Sequence, residues 1–209
     1  RSGTTTFSDM YYFEDEMARA TDELGLRAVL GQTIIGFPAP DYKSPKDALK
    51  GVEAFVKKWK SHGRVIPSIA PHALYTTDVE TVKAAAALAK RYGVPFQIHA
   101  NESPAEDEAV RKRHGGTSFE VLEREGILGS NVILHHGITL TAEQRSLCAE
   151  LGVGVSHNVE SNMKGASGLL DLQAMIDAGV AVGLGTDGGA GNNNLDLFEE
   201  MDTCAKIHK

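Results

Sequence analysis

Short apolar runs alternate with amphipathic segments of helical period along the whole chain, and this alternation constrains the fold more than any single residue. A strand apolar on both faces needs cover on both, and helices in the connections supply it when the sheet is parallel. Seven strands are predicted, over residues 5–10, 27–30, 65–70, 96–99, 132–136, 152–157 and 180–185. Helices are predicted over residues 14–24, 45–62, 78–92, 105–114, 118–125, 142–151, 170–178 and 195–208. Thr77 with Glu80, and Thr141 with Gln144, have the spacing of a capping box, and Gly93 stands where a helix should stop. Asn192, Asn193 and Asn194 with Asp196 read as the cap of the last helix.

Repeated βα units build either an open doubly wound sheet or a closed barrel. The barrel is favoured because no Gly-x-Gly-x-x-Gly turn follows the first strand and polar residues gather at the ends of many strands. The expected fold class is α/β, a (β/α)8 TIM-type barrel with about seven of its eight βα units present, and residues 1–209 are read as one barrel domain. The chain lacks an initiator methionine and stops inside a helical pattern, so it reads as a fragment whose missing strand precedes Thr5. The strands near Thr5 and Val180 would then have unpaired edges, a liability for aggregation.

The composition, 42% hydrophobic and 23% charged, is that of an ordinary globular protein. A net charge of -7 argues against nucleic acid as a partner, and no apolar run is long enough to span a bilayer. The two cysteines, Cys148 and Cys204, form no C-x-x-C pair, which fits a reducing cytoplasm. The sequence leaves open whether the chain forms a homo-oligomer.

Four of the eight histidines, His72, His99, His136 and His157, fall at or just after the carboxyl end of a predicted strand. Barrel enzymes build their sites on that rim. The other four, His62, His114, His135 and His208, fall on helices or on the opposite strand face. With Asp187, the rim histidines make a nitrogen and carboxylate set that suits zinc or iron. Glu102, three residues beyond His99, reads either as a general acid and base or as an acid at the start of a helix before Pro104. The glycine-rich stretch 183–189 could cradle a phosphate, but it has no lysine and carries an acid, so a metal-binding role for Asp187 is preferred.

Five segments then stand in a telling order: Pro71-His72-Ala73-Leu74-Tyr75-Thr76, Ile98-His99-Ala100-Asn101-Glu102, His136-Gly137, His157-Asn158-Val159-Glu160-Ser161-Asn162-Met163-Lys164 and Gly185-Thr186-Asp187-Gly188. In these the chain resembles the amidohydrolase superfamily, and within it the branch of methylthioadenosine/S-adenosylhomocysteine deaminases, guanine deaminases and s-triazine hydrolases. The resemblance implies one divalent metal, zinc or iron, with His99 and Asp187 as ligands. It also implies that Glu102 moves the proton, that His136 polarises the substrate and orients the water, that Asp187 holds the attacking hydroxide, and that His72 contacts the substrate. The family's other two ligands form a His-x-His pair on the first strand, which these residues do not contain. The chain is therefore expected to be a central piece of a longer protein, without that strand and without the family's β-sandwich.

The activity implied is hydrolytic deamination of an amino-substituted purine or nucleoside, pteridine or triazine-like ring, a small heterocyclic substrate, with release of ammonia. Chloride or a cyclic amide as the leaving group, and a catalytically inactive barrel kept as a binding or assembly subunit, are the alternatives. Two departures bear on substrate: residues 28–63 contain no arginine, and Val159-Glu160 stands where Pro-Val is common.

Overall fold

The computed structural model describes residues 2–209, which divide into two compact units, residues 5–98 and residues 99–209 with residues 2–4. The first unit contains β1 (Thr6–Asp9), α1 (Glu14–Glu23), β2 (Arg27–Ile34), α2 (Pro45–Trp59), β3 (Val65–Pro71) and α3 (Val79–Tyr92). It also holds the start of β4 (Phe96–Ala100). Each strand pairs in parallel with the next, Thr6 opposite Arg27, Ala28 opposite Val65 and Ile69 opposite Phe96. Ala18, Ala28, Leu30, Phe55, Trp59 and Val65 form its core, with Phe7 packed against them. Burial of large side chains such as Phe55 and Trp59 contributes about 1.5–3 kcal/mol apiece.

The second unit carries α4 (Pro104–His114), α5 (Ser118–Arg124), β5 (Val132–His136), α6 (Ala142–Leu151) and β6 (Gly154–His157). It continues through α7 (Val159–Lys164), α8 (Leu172–Asp177), β7 (Ala181–Leu184) and α9 (Leu197–Ile207). Here too the pairing is parallel, Ile133 opposite Gly154 and Val155 opposite Val182. Phe119, Leu122, Leu134, Leu170 and Met175 are among its fully buried side chains. Strands β3 and β4 are almost wholly buried, whereas β1 and β7 alternate between exposed and half-buried residues.

Several elements depart from the sequence expectation for local reasons. β2 runs on to Ile34 because Gly31 passes close to Ala70, Ser68 and Gln97, where a Cβ would collide at 2.6–2.9 Å. Its polar residues are also satisfied, with Gln32 donating to Asp41 Oδ2 at 2.5 Å. Helix α3 is capped by Asp78, which accepts from Thr81 N at 2.8 Å, and not by Thr77. The Thr77 hydroxyl is buried and donates to the Ile34 carbonyl at 3.3 Å. Helix α2 stops at Trp59 instead of His62, whose Nδ1 accepts from Val65 N at 3.1 Å and so belongs to the turn. The expected Thr141 and Gln144 box is present on α6, and Gly93 ends α3 with φ 64°.

Candidate active site

Strand β4 delivers His99 in a buried position, 7% exposed, and the chain then turns through Asn101, whose φ is 54°. That left-handed backbone is held on three sides. Asn101 Oδ1 accepts from Phe119 N at 2.9 Å, its Nδ2 donates to Thr139 Oγ1 at 3.0 Å, and its carbonyl accepts from Thr139 N at 3.1 Å. Glu102 follows outside helix α4, which is capped by Ser103 and begins at Pro104. The Glu106 carboxylate accepts from Glu102 N at 3.0 Å and from the Ser118 hydroxyl, fixing the loop from behind. Burial pushes the Glu106 carboxyl up to about 7. The reading of Glu102 as a helix-terminal acid is thus set aside, since Ser103 and Glu106 occupy those roles.

His136 ends β5 with φ 75°, and its side chain is 2% exposed. Its Nδ1 stands 2.8 Å from Asn162 Oδ1 on α7. A carbonyl oxygen can only accept, so Nδ1 carries the proton and Nε2 faces the two acids. Glu102 Oε1 lies 4.0 Å from Nε2 and Asp187 Oδ2 lies 3.9 Å from it. Asp187, with φ 59°, is in turn held by Ser161 Oγ, which donates to Oδ2 at 2.6 Å, and by Gly188 N, which donates to Oδ1 at 2.6 Å.

Of six non-glycine residues with positive φ among the described residues, three are Asn101, His136 and Asp187. Such backbone costs about 1–3 kcal/mol at each position and persists only where surrounding contacts impose it. Gly185 brings the loop into the site, since a Cβ there would stand 2.4 Å from Asn158 Oδ1. The alternative phosphate cradle does not form: α9 begins only at Leu197, with Asp196 as its cap. Asn192 Oδ1 braces that turn by accepting from Leu195 N at 2.8 Å.

The structure thus brings Glu102 and Asp187 within 4.0 Å of His136 Nε2 and stacks the His99 ring 5.6 Å from that of His136. His72 belongs to the other unit, where Nδ1 pairs with Thr76 Oγ1 at 2.9 Å and the ring packs edge-on to Tyr75 and Tyr11. His157 is fully buried at the end of β6, with Nε2 3.0 Å from His208 Nε2. Burial, then His208 and His136, push its imidazole down to about 4. His135 corrects the expectation that it faces away: its ring lies 5.3 Å from that of His99, and burial holds its imidazole well below the ordinary range. Asn101, Ser161 and Asn162 were not singled out from sequence, although each lies within a quoted segment.

A divalent metal, implied by the family resemblance, is tested by the donor set. One buried imidazole, His99, and one carboxylate, Asp187, are nitrogen and oxygen donors of the kind zinc and iron take. Glu102 places a second carboxylate 4.0 Å from His136 Nε2. These residues fit such an ion.

A sequence model of the amidohydrolase family matches residues 1–209. A 5-methylthioadenosine/S-adenosylhomocysteine deaminase of Syntrophobacter fumaroxidans is 44% identical over all of this chain and 48% of its own length. A deaminase of the same description from Aquifex aeolicus is 41% identical, over all of this chain and 49% of its own length. The chain spans about half the length of the curated relatives it matches. Among solved structures, an adenosine deaminase from Xanthomonas campestris with bound zinc is 33% identical, with a TM-score of 0.96 over all of this chain and 47% of its own. An atrazine chlorohydrolase from Arthrobacter aurescens, complexed with zinc, has a TM-score of 0.91 at 24% identity, covering all of this chain and 50% of its own, and shows the fold alone. The fold is the α/β barrel of TIM type, incomplete in this chain, as the strand pattern led us to expect.

Proposed function

From the premise that the chain belongs to the amidohydrolase family, we propose that the protein is a metal-dependent hydrolytic deaminase that releases ammonia from an amino-substituted purine nucleoside or a related ring. The observation that carries this reading is the placement of Glu102 and Asp187 on either hand of His136 Nε2, at 4.0 and 3.9 Å, with Nδ1 committed to Asn162. The deaminase relatives at 41–44% identity favour ammonia over chloride as the leaving group.

His99 and Asp187 are the proposed ligands of the ion, zinc in first place, which supplies Lewis-acid activation of water at neutral pH. Asp187 also accepts a hydrogen bond from the attacking water. Glu102, whose side chain is 28% exposed, takes a proton from that water and passes it to a ring nitrogen. His136 Nε2, an acceptor in this tautomer, orients the attacking water. The substrate role of His72 rests on its sequence segment alone. Both cysteines are free thiols, in keeping with a cytoplasmic location, and among the described residues no helix is long and apolar enough to cross a membrane.

The test is a panel of aminopurine nucleosides, guanine, pterins and amino- or chlorotriazines assayed with the protein for ammonia and for chloride. Ammonia from the purine members is expected, and chloride alone would overturn the reading. Glu102→Gln should leave metal content unchanged and reduce turnover by on the order of 10² or more. Near-normal turnover would remove Glu102 from its role.

A further inference from the structure

His157, Cys204 and His208 each place one donor atom within 4.8 Å of the other two, and among the described residues they are the group of three that does so. His157 Nε2 and His208 Nε2 are 3.0 Å apart, with ring planes at 61°. Cys204 lies in the last turn of α9, and His208, four positions on, is the residue that caps the helix end. The third donor comes from the end of β6. His157 and Cys204 are buried, His208 is half-buried, and His157 Nδ1 has no hydrogen-bond partner. None of the three is among the residues assigned above to the reaction.

We propose that His157, Cys204 and His208 form a second metal site, of two imidazoles and one thiolate, that takes a borderline divalent cation such as zinc. Around a tetrahedral ion, nitrogen ligands at about 2.0–2.1 Å and sulfur at about 2.3 Å stand roughly 3.3–3.6 Å from one another. The imidazole pair is already near that spacing, and the sulfur lies within 4.8 Å of a ring nitrogen of each. Binding breaks the S–H bond of Cys204, releases its proton to solvent and forms a metal–thiolate bond, while both histidines bind neutral through a ring nitrogen. Water completes the fourth position. A site tying β6 to α9 would fix α7 as well, because Glu160 on α7 accepts from Thr203 Oγ1 of α9 at 3.0 Å.

Sulfur separates this site from the proposed catalytic one, whose donors are nitrogen and oxygen only. The experiment is a titration of the chelator-treated full chain with cobalt(II), read by the thiolate-to-cobalt charge-transfer absorption in the near ultraviolet. The expected result is a band that saturates at one equivalent, disappears in Cys204→Ser and persists in Cys148→Ser and His99→Asn. His208→Gln, at a half-buried helix end that tolerates the change, should weaken cobalt binding by at least about tenfold. The band's absence from the unmodified chain, its persistence in Cys204→Ser or its loss in His99→Asn would overturn the proposal and leave a plain imidazole-to-imidazole hydrogen bond. Because the wild-type spectrum alone decides the first outcome, misfolding of a variant does not shelter the idea, and ammonia release plays no part in the readout.

Discussion

With its Nδ1 proton committed to Asn162 Oδ1, His136 presents Nε2 to Glu102 and Asp187 in a single tautomer. Under the proposed function Asn162 is therefore a positioning residue, acting only through the ring it holds. Asn162→Leu keeps the branched shape and removes the acceptor, at a cost of about 1–2 kcal/mol, equivalent to a roughly tenfold drop in kcat. KM should change little, and steady-state kinetics on the preferred substrate checks both values; an unchanged kcat would show that packing alone orients His136. The proposed site residues could be nominated from the sequence because residue type and strand-end position coincide at His99, His136 and Asp187. Asn162 and Ser161 were not, because their work depends on partners 26 residues away that only the folded chain brings near.

At the level of elements, α1 carries a carboxyl that no periodicity argument reveals. Glu14 is fully buried beside Asp9 and Asp41, with Oε1 accepting from Tyr11 N at 3.0 Å and Oε2 lacking a partner. Burial, followed by repulsion from Asp9, pushes its carboxyl up to about 8. A raised carboxyl pKa means that folding favours the protonated form, so the stability it contributes is fully present below about 4.5 and is lost as pH rises toward about 8. Glu14→Gln should therefore be more stable than the parent chain at pH 8 and should flatten the fall in melting temperature between those limits, as thermal unfolding across pH would show. An unaltered pH profile would mean that Glu14 ionises without penalty. Capping signals were legible where the box was complete, as at Thr141. They misled at Thr77, where the neighbouring Asp78 offers a carboxylate to the same helix end and the threonine hydroxyl is drawn to Ile34.

For the whole molecule, among the described residues β1 pairs only with β2 and β7 only with β6, and both are more exposed than β3 and β4. Beside β7 lies an apolar groove of about 420 Å³ lined by Leu172, Ile176, Val180, Val182 and Leu184, with Ile176 55% exposed. The unpaired parallel edge of β7 next to such a surface promotes association. The 209-residue chain should accordingly self-associate with rising concentration, and Val182→Lys on β7 should suppress this in light scattering or sedimentation; a chain that stays monomeric throughout would contradict it. The sequence alone determined the βα repeat, because burial on two faces and helical cover leave their pattern in consecutive residues, and the polar residues at many strand ends pointed to the barrel class and the rim histidines. Tertiary structure alone decided which nitrogen of His136 meets the acids, that His135 packs beside His99, and that His157 meets Cys204 and His208. Those are distances between residues far apart in the chain, fixed by strand register and loop backbone, and no local period encodes them.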